Sequence, residues 1–255
     1  MLVTRRGFTS GALSLALAAR WAAPAMADTP AALGPALAAI RAYGEAHRNY
    51  FNLPGITLGL TTPDGFSTVL DFGFANADAR TAIGPDTLFQ IGSISKVMVA
   101  AVLHQLAAEG RFHLTDRINA LLPEIPLPAA NTITVQHLLD HTAGLPDGAP
   151  LSSPGGLWTG FAPGAHWSYS NTGYTILGKL AEHFGGKPLN RLLAERLFAP
   201  HGMTRSRGAI VGADRPLYAQ GYEPADPTVP YARGMPLAPA AWVDVADGAG
   251  CVAST

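Results

Sequence analysis

Apolar side chains recur at helical spacing in several stretches of this chain and alternate with polar ones in two others. The helical stretches are residues 31–50, 93–109, 115–122, 134–141, 172–184 and 187–199. The alternating stretches, 56–61 and 67–74, flank Pro63-Asp64-Gly65, so they predict a β-hairpin. We expect loop over 75–88, and beyond residue 200 we find little periodicity and no convincing strands.

The order of the predicted elements indicates the class of fold. A strand pair precedes a block of helices, which favours an α+β protein over a doubly wound βαβ fold. An isolated hairpin is only marginally stable in water and needs further strands. Because the rest of the chain offers none, the sequence is expected to be the front part of something longer.

Composition excludes several classes of protein. Among 255 residues, Lys and Arg number 17 and Asp and Glu 18, so the net charge of −1 argues against a nucleic-acid binder with a basic surface. A hydrophobic share of 48% and a mean hydropathy of +0.17 argue against disorder. The sequence has no uncharged apolar stretch of 18 residues, so we expect no membrane-spanning helix.

The first residues have the features of an export signal. Arg5 and Arg6 precede an apolar run over 11–19, and Ala25-Met26-Ala27 supplies the small residues that a signal peptidase requires. We therefore predict a twin-arginine signal peptide over residues 1–27 and a mature protein in the periplasm or outside the cell. The alternative is an amphipathic N-terminal helix.

A serine and a lysine three residues apart are the first candidate for chemistry. Of the three lysines, only Lys96 has a serine three positions before it, Ser93, and on a helix this spacing places both on one face. A serine hydroxyl needs a base to become a nucleophile, and a lysine of lowered pKa can be that base. The alternative is a serine at a helix start followed by a surface lysine.

Tyr169-Ser170-Asn171 is the second candidate. In extended backbone Tyr169 and Asn171 project to the same side, where a phenol can shuttle protons and an amide can hold a substrate carbonyl. The pattern alone is weak, since Tyr50-Phe51-Asn52 also matches it. The alternative is an asparagine N-cap beside a packed tyrosine.

Histidine and cysteine add no further chemistry. His137 and His141 are four apart, but the Glu of a His-Glu-x-x-His zinc motif is missing, so we favour scaffold histidines and expect neither metal nor cofactor. Cys251 is the only cysteine, which excludes an internal disulfide, and it is expected to be a small core residue rather than a nucleophile.

Three segments together resemble a known family of serine hydrolases: class C β-lactamases, penicillin-binding proteins, D-alanyl-D-alanine carboxypeptidases and related esterases. The segments are 89–96 with Ser-x-x-Lys, 133–146 ending in His-Thr-Ala-Gly-Leu-Pro, and 167–174 with Tyr-Ser-Asn. The resemblance covers roughly residues 32–255. It implies the β-lactamase and DD-peptidase fold, in which an antiparallel sheet packs with helices beside a mainly helical region.

The resemblance also implies roles for four residues. Ser93 is expected to be the acylated nucleophile and Lys96 its activating partner. Tyr169 resembles the proton shuttle of the family, and Asn171 resembles its contact to the substrate amide. Class A enzymes carry Ser-Asp-Asn where this chain has Tyr-Ser-Asn, so class A is disfavoured.

One family motif is missing. The family carries Lys-Thr-Gly or His-x-Gly on a later strand, and here His183-Phe184-Gly185 matches only in letters, at a predicted helix end. We expect the strand that carries this motif to lie beyond Thr255, and we expect little turnover from these 255 residues alone.

The sequence predicts four parts of the chain: 1–27, the signal; 28–92, the first helix and strands; 93–200, the helical part; and 201–255, a loop-rich segment.

The leading function is an exported serine hydrolase that forms an acyl-enzyme with an amide, either a β-lactam or a D-alanyl peptide, or with a carboxylic ester. Its partner would be a small-molecule or peptide substrate. The alternative is a non-catalytic ligand-binding or interaction module, because the third motif is absent. An α/β-hydrolase is disfavoured, since the chain has no Gly-x-Ser-x-Gly.

Overall fold

A computed structural model describes residues 31–128, 132–153, 155–226, 228–230, 232–241 and 244–255. The predicted signal peptide, 1–27, lies outside these residues. The α-helices are α1 (Gly34–Phe51), α2 (Ser95–Ala108), α3 (Ile118–Leu121), α4 (Val135–Leu139), α5 (Asn171–Gly185) and α6 (Leu189–Leu193). The strands are β1 (Gly55–Thr61), β2 (Ser67–Asn76), β3 (Thr81–Ala82), β4 (Phe89–Gln90), β5 (Tyr222–Pro224), β6 (Leu237–Pro239) and β7 (Ala253–Ser254).

The predicted hairpin is confirmed. Strands β1 and β2 pair antiparallel from Gly55 opposite Gly73 to Thr61 opposite Ser67, and Gly65 makes the turn with a φ of 92°. Leu70 and Phe72 alternate with exposed residues and face inward. Helix α1 packs against this sheet, where Gly44 leaves room for the Phe72 ring.

Two predictions about strands are wrong. The stretch 75–88 is not all loop, because β2 continues to Asn76 and pairs with β3. The region after residue 200 contains β5, β6 and β7. Each missed strand has only two or three residues, too few to show alternation, and each is defined by its pairing with another strand rather than by its own pattern.

The helical predictions are confirmed for 31–50 and 172–184, which correspond to α1 and α5, and the other four stretches run too long. The stretch 93–109 divides into a 3-10 turn, Gly92–Ile94, and helix α2, and Gly110 follows with a φ of 74°. The stretch 187–199 is helix α6 followed by a π-helical turn over Ala194–Phe198. The shorter stretches at 115–122 and 134–141 shrink to α3 and α4.

The main core lies between α2 and α5. Leu103 and Leu106 of α2 and Ile176 and Leu180 of α5 belong to this one cluster, and all four side chains are fully buried. Cys251 belongs to the same core, as expected, and burial raises the pKa of its thiol to about 11. Packing of this core therefore fixes the start of α2 and the start of α5 relative to each other.

The last strand joins the end of the chain to the start of α2. Strand β7 pairs antiparallel with β4, and the N–H of Ile91 donates to the carbonyl of Val252. The buried Ser95 hydroxyl donates to Gly92 O at 2.6 Å and accepts from the Val252 N–H at 2.9 Å. In the described ranges, no helix has both the length and the apolar character needed to cross a membrane.

Candidate active site

Lys96 lies at the centre of the candidate site and is only 5% exposed. Its Nζ donates to Ser93 Oγ at 3.1 Å, to Asn171 Oδ1 at 2.7 Å and to the carbonyl of Ala249 at 2.5 Å. Three acceptors match the three N–H donors of an ammonium group. The Lys96 side chain is therefore buried with a partner for each donor, and the alternative of a surface lysine is wrong.

Ser93 is contacted from a second side by Tyr169. The Tyr169 hydroxyl donates to Ser93 Oγ at 2.7 Å, so the serine oxygen lies between a phenol and an ammonium. Ser93 itself is exposed, in the 3-10 turn before α2, where N–H groups lack intrahelical acceptors. Gly92 precedes it with a left-handed φ of 53° that favours glycine.

The Tyr169 and Asn171 side chains reach one site because of the backbone between them. Ser170 is extended, with φ −143° and ψ 112°, so its two neighbours project to the same side. Ser170, not Asn171, is the N-cap of α5, since its Oγ accepts from the Gly173 N–H at 3.0 Å. The alternative of an asparagine cap is therefore wrong, and the Asn171 side chain faces Lys96 instead.

The two tyrosines beside Lys96 differ in their acidity. Burial raises the pKa of Tyr169, but the Lys96 ammonium and the hydrogen bond with Ser93 outweigh burial, so the net pKa is below its ordinary value. Burial raises the pKa of Tyr174, whose hydroxyl donates to the Leu139 carbonyl at 3.2 Å. Tyr169 is thus the more acidic phenol and the one in contact with Ser93.

A segment near the chain end completes the surroundings of Lys96, and sequence reasoning missed it. Asp247 Oδ1 accepts from the Ala249 N–H at 2.6 Å and from the Thr175 hydroxyl of α5 at 3.0 Å. These bonds hold the Ala249 carbonyl against Lys96. The sequence signal is Gly248, whose lack of a side chain permits a close approach to helix α5.

The rings of His137 and His141 each accept a hydrogen bond from a backbone N–H group. The Nδ1 atom of His137 accepts from the Thr134 N–H at the start of α4, and the Nδ1 atom of His141 accepts from the Ser170 N–H. Within the described residues, no group of three or more His, Cys, Asp or Glu side chains could hold a metal ion. Of the predicted residues, the structure brings Ser93, Lys96, Tyr169 and Asn171 together.

The chain is similar to a family of known proteins. Residues 19–255 match the family described as Beta-lactamase. A β-lactamase of Pseudomonas fluorescens is 30% identical over 175 residues, which are 64% of this chain and 48% of that protein. An octameric penicillin-binding protein homologue from Pyrococcus abyssi superimposes with a TM-score of 0.71 at 25% identity, over 87% of this chain and 53% of that one.

A third similarity is to an amidase. The D-amino acid amidase from Ochrobactrum anthropi SV3, solved with L-phenylalanine amide, superimposes with a TM-score of 0.67 at 28% identity, over 86% of this chain and 66% of that one. The chain spans about half the length of the first curated relatives it matches, 48% and 53% of two β-lactamases. Its α+β architecture and its match over nearly its whole length show that the chain belongs to the β-lactamase family.

Proposed function

We propose that this protein is a serine hydrolase that acylates Ser93 with an amide substrate, a β-lactam or a D-amino acid amide. The observation that carries the proposal is the position of Ser93 Oγ, 2.7 Å from the Tyr169 hydroxyl and 3.1 Å from Lys96 Nζ. A serine hydroxyl becomes a nucleophile only with an adjacent base, and this arrangement supplies one.

The base in this proposal is Tyr169 rather than Lys96. Lys96 Nζ donates to Ser93, Asn171 and Ala249, so in this proposal Lys96 acts as a donor and does not take the Ser93 proton. Lys96 instead lowers the pKa of Tyr169, which makes the phenolate available nearer to neutral pH. The phenolate oxygen takes the Ser93 proton as Oγ attacks the substrate carbonyl.

The remaining steps follow from the same groups. Attack converts the carbonyl into a tetrahedral oxyanion, towards which the Ser93 N–H is suited to donate. The Tyr169 hydroxyl, now protonated, gives its proton to the leaving nitrogen as the carbon–nitrogen bond breaks. Water then attacks the acyl-Ser93 ester while Tyr169 takes its proton, and Tyr169 passes that proton to Ser93 Oγ as the acyl carbon–oxygen bond breaks and the acid leaves.

Asn171 is proposed to orient the substrate. An ammonium can only donate, so the carbonyl oxygen of the Asn171 amide faces Lys96 and the amide nitrogen is directed away from it. This nitrogen can donate to the carbonyl of a substrate amide. The backbone N–H of Asn171 donates to Asp147 Oδ1 at 2.8 Å, which fixes the residue at the start of α5.

Two kinds of amide are proposed from the similar proteins. The relative from Pseudomonas fluorescens is a β-lactamase, and the solved protein from Ochrobactrum anthropi is a D-amino acid amidase. The proton transfers above are the same for either substrate and for an ester. The amide is favoured because both of these similar proteins are named for amide substrates.

The test compares three substrates on the same protein: a chromogenic cephalosporin, D-phenylalanine p-nitroanilide and p-nitrophenyl acetate. The release of chromophore during the first turnover is measured, because it reports acylation of Ser93. We expect a burst with the cephalosporin or the anilide that Ser93→Ala abolishes and Ser67→Ala retains. An undiminished burst in Ser93→Ala would refute the proposal, and a burst with the acetate alone would replace the amide by an ester.

We further propose that the protein is exported and works in the periplasm or outside the cell. Support comes from the sequence of residues 1–27 alone. The exported protein should begin at Asp28, and replacing Arg5 and Arg6 by lysine should leave it inside the cell. An exported protein that retains Met1 would contradict this proposal.

A further inference from the structure

His141 packs against one face of the Tyr169 ring. Its ring stacks on the Tyr169 ring, with 4.5 Å between centroids and 28° between planes, and it also contacts the Tyr174 ring at 5.0 Å. The His141 backbone has a left-handed φ of 58°, which is uncommon for a residue with a side chain. One strained residue thus contacts both phenols that face Lys96.

Two hydrogen bonds from the Tyr169 loop end on this residue. The Ser168 N–H donates to the His141 carbonyl at 2.8 Å, and the Ser170 N–H donates to its Nδ1 at 3.1 Å. The two donors are the residues immediately before and after Tyr169. His141 therefore fixes the backbone of Tyr169 on both sides.

The second of these bonds defines the protonation of the ring. An Nδ1 atom that accepts cannot carry a proton, so the neutral ring has its proton on Nε2. The charged groups that act on the ring are Lys96, Asp147 and Asp140. Burial and then Lys96 lower the pKa of His141, against the two carboxylates, which favours the neutral ring.

We propose that His141 is a positioning residue for Tyr169. Its carbonyl and its Nδ1 hold residues 168–170 so that the Tyr169 hydroxyl stays in contact with Ser93 and near the Lys96 ammonium. This inference rests on the proposed function, in which Tyr169 takes the Ser93 proton. It predicts that the acceptor at Nδ1 matters more than the imidazole ring as such.

Two substitutions separate the acceptor from the backbone requirement. In His141→Asn the amide oxygen is bonded to Cγ as Nδ1 is, so an acceptor is retained, and asparagine tolerates a left-handed φ. In His141→Gly the backbone is even freer, but the acceptor is lost. Neither variant is penalised by the φ of 58°, so a difference between them reports the side-chain acceptor.

The measurement is the titration of Tyr169 in full-length protein labelled with 13Cζ-tyrosine, with the Tyr169 signal identified by its loss in Tyr169→Phe. We expect His141→Asn to keep the Tyr169 pKa close to that of the original protein. We expect His141→Gly to raise it and to slow acylation of Ser93 by a fluorescent penicillin about tenfold or more at neutral pH. Equal titration and equal acylation in both variants would overturn the proposal.

A second measurement needs no substitution. Protonation of Nδ1 at low pH removes the acceptor of the Ser170 N–H, so the Ser170 amide signal should shift with the titration of His141, and the Tyr169 signal should shift with it. A Ser170 amide signal that does not change as His141 titrates would overturn the proposal. If both signals behave as expected but neither a penicillin nor D-phenylalanine p-nitroanilide acylates Ser93, the proposed function fails and the positioning role stands.

Discussion

Lys96 is the central residue of the site, because its Nζ atom contacts residues from three separate segments of the chain. It contacts Ser93, Asn171 and Ala249, and its Nζ lies 4.8 Å from the Tyr169 ring centroid. A positive charge at this distance favours the phenolate over the phenol. The reactivity of Ser93 is therefore proposed to depend on Lys96 through Tyr169.

This dependence predicts how acylation varies with pH. The pKa of Tyr169 is lowered in the folded protein, so acylation should rise with pH as the phenolate forms and level off above that pKa. In Lys96→Met the charge is gone, so the rising limb should move to higher pH and the neutral-pH rate should fall about 100-fold or more. Both effects are measured as the rate of penicillin acylation at a series of pH values from about 5 to about 10, a range that reaches the usual pKa of tyrosine.

Lys179→Met is the matched control, because Lys179 is exposed and forms an ion pair with Glu182 on its own helix. Its pH profile should coincide with that of the original protein. If acylation by Lys96→Met rose over the same pH range as in the original protein, the pKa of Tyr169 would not depend on Lys96.

Part of the site could be predicted from single residues, and part could not. The spacing of Ser93 and Lys96 is local and follows from helix geometry. The Ala249 carbonyl could not be predicted, because any residue can supply a backbone carbonyl and 153 positions separate it from Lys96. The role of Ser170 as the cap was missed because Ser170 and Asn171 are equally good cap residues.

At the scale of elements, the segment around Gly248 is built for close contact with α5. A Cβ added at Gly248 would lie 2.0 Å from the Tyr174 carbonyl oxygen and 2.9 Å from the Gly178 nitrogen. Both are backbone atoms of a helix and cannot rotate away. The glycine is what allows the Ala249 carbonyl to reach Lys96.

Gly248→Ala should therefore destabilise the protein by about 1–3 kcal/mol or more, the usual cost of forcing extra volume into a packed site. The measurement is the free energy of unfolding in urea. Gly59→Ala is the control, since Gly59 lies in β1 with no atom within 4 Å of an added Cβ, and it should change stability little. Equal stabilities of the two variants would show that the segment can move away from α5.

Elements with a long pattern were predictable and short ones were not. Helices α1, α2 and α5 repeat their apolar positions over several turns, and the hairpin alternates around a turn sequence. Strand β7 has two residues, and only its pairing with β4 makes it a strand. Such strands are fixed by tertiary contacts, which a local pattern does not contain.

At the scale of the molecule, the active-site residues are held by one buried core rather than by disulfides. Cys251 is fully buried in that core, and its neighbour Val252 hydrogen-bonds to Ser95, one residue before Lys96. Family and architecture could be predicted because three motifs occur in the right order. The division at residues 92 and 200 and the export signal stay predictions.

The central claim is that Ser93 is the nucleophile, and the most direct measurement is the site of a covalent adduct. The protein is incubated with a penicillin, quenched in acid and mapped by mass spectrometry of its peptides. We predict one added penicillin, on the hydroxyl of Ser93, and none in Ser93→Ala. An adduct on another residue, or an equal adduct in Ser93→Ala, would contradict the claim.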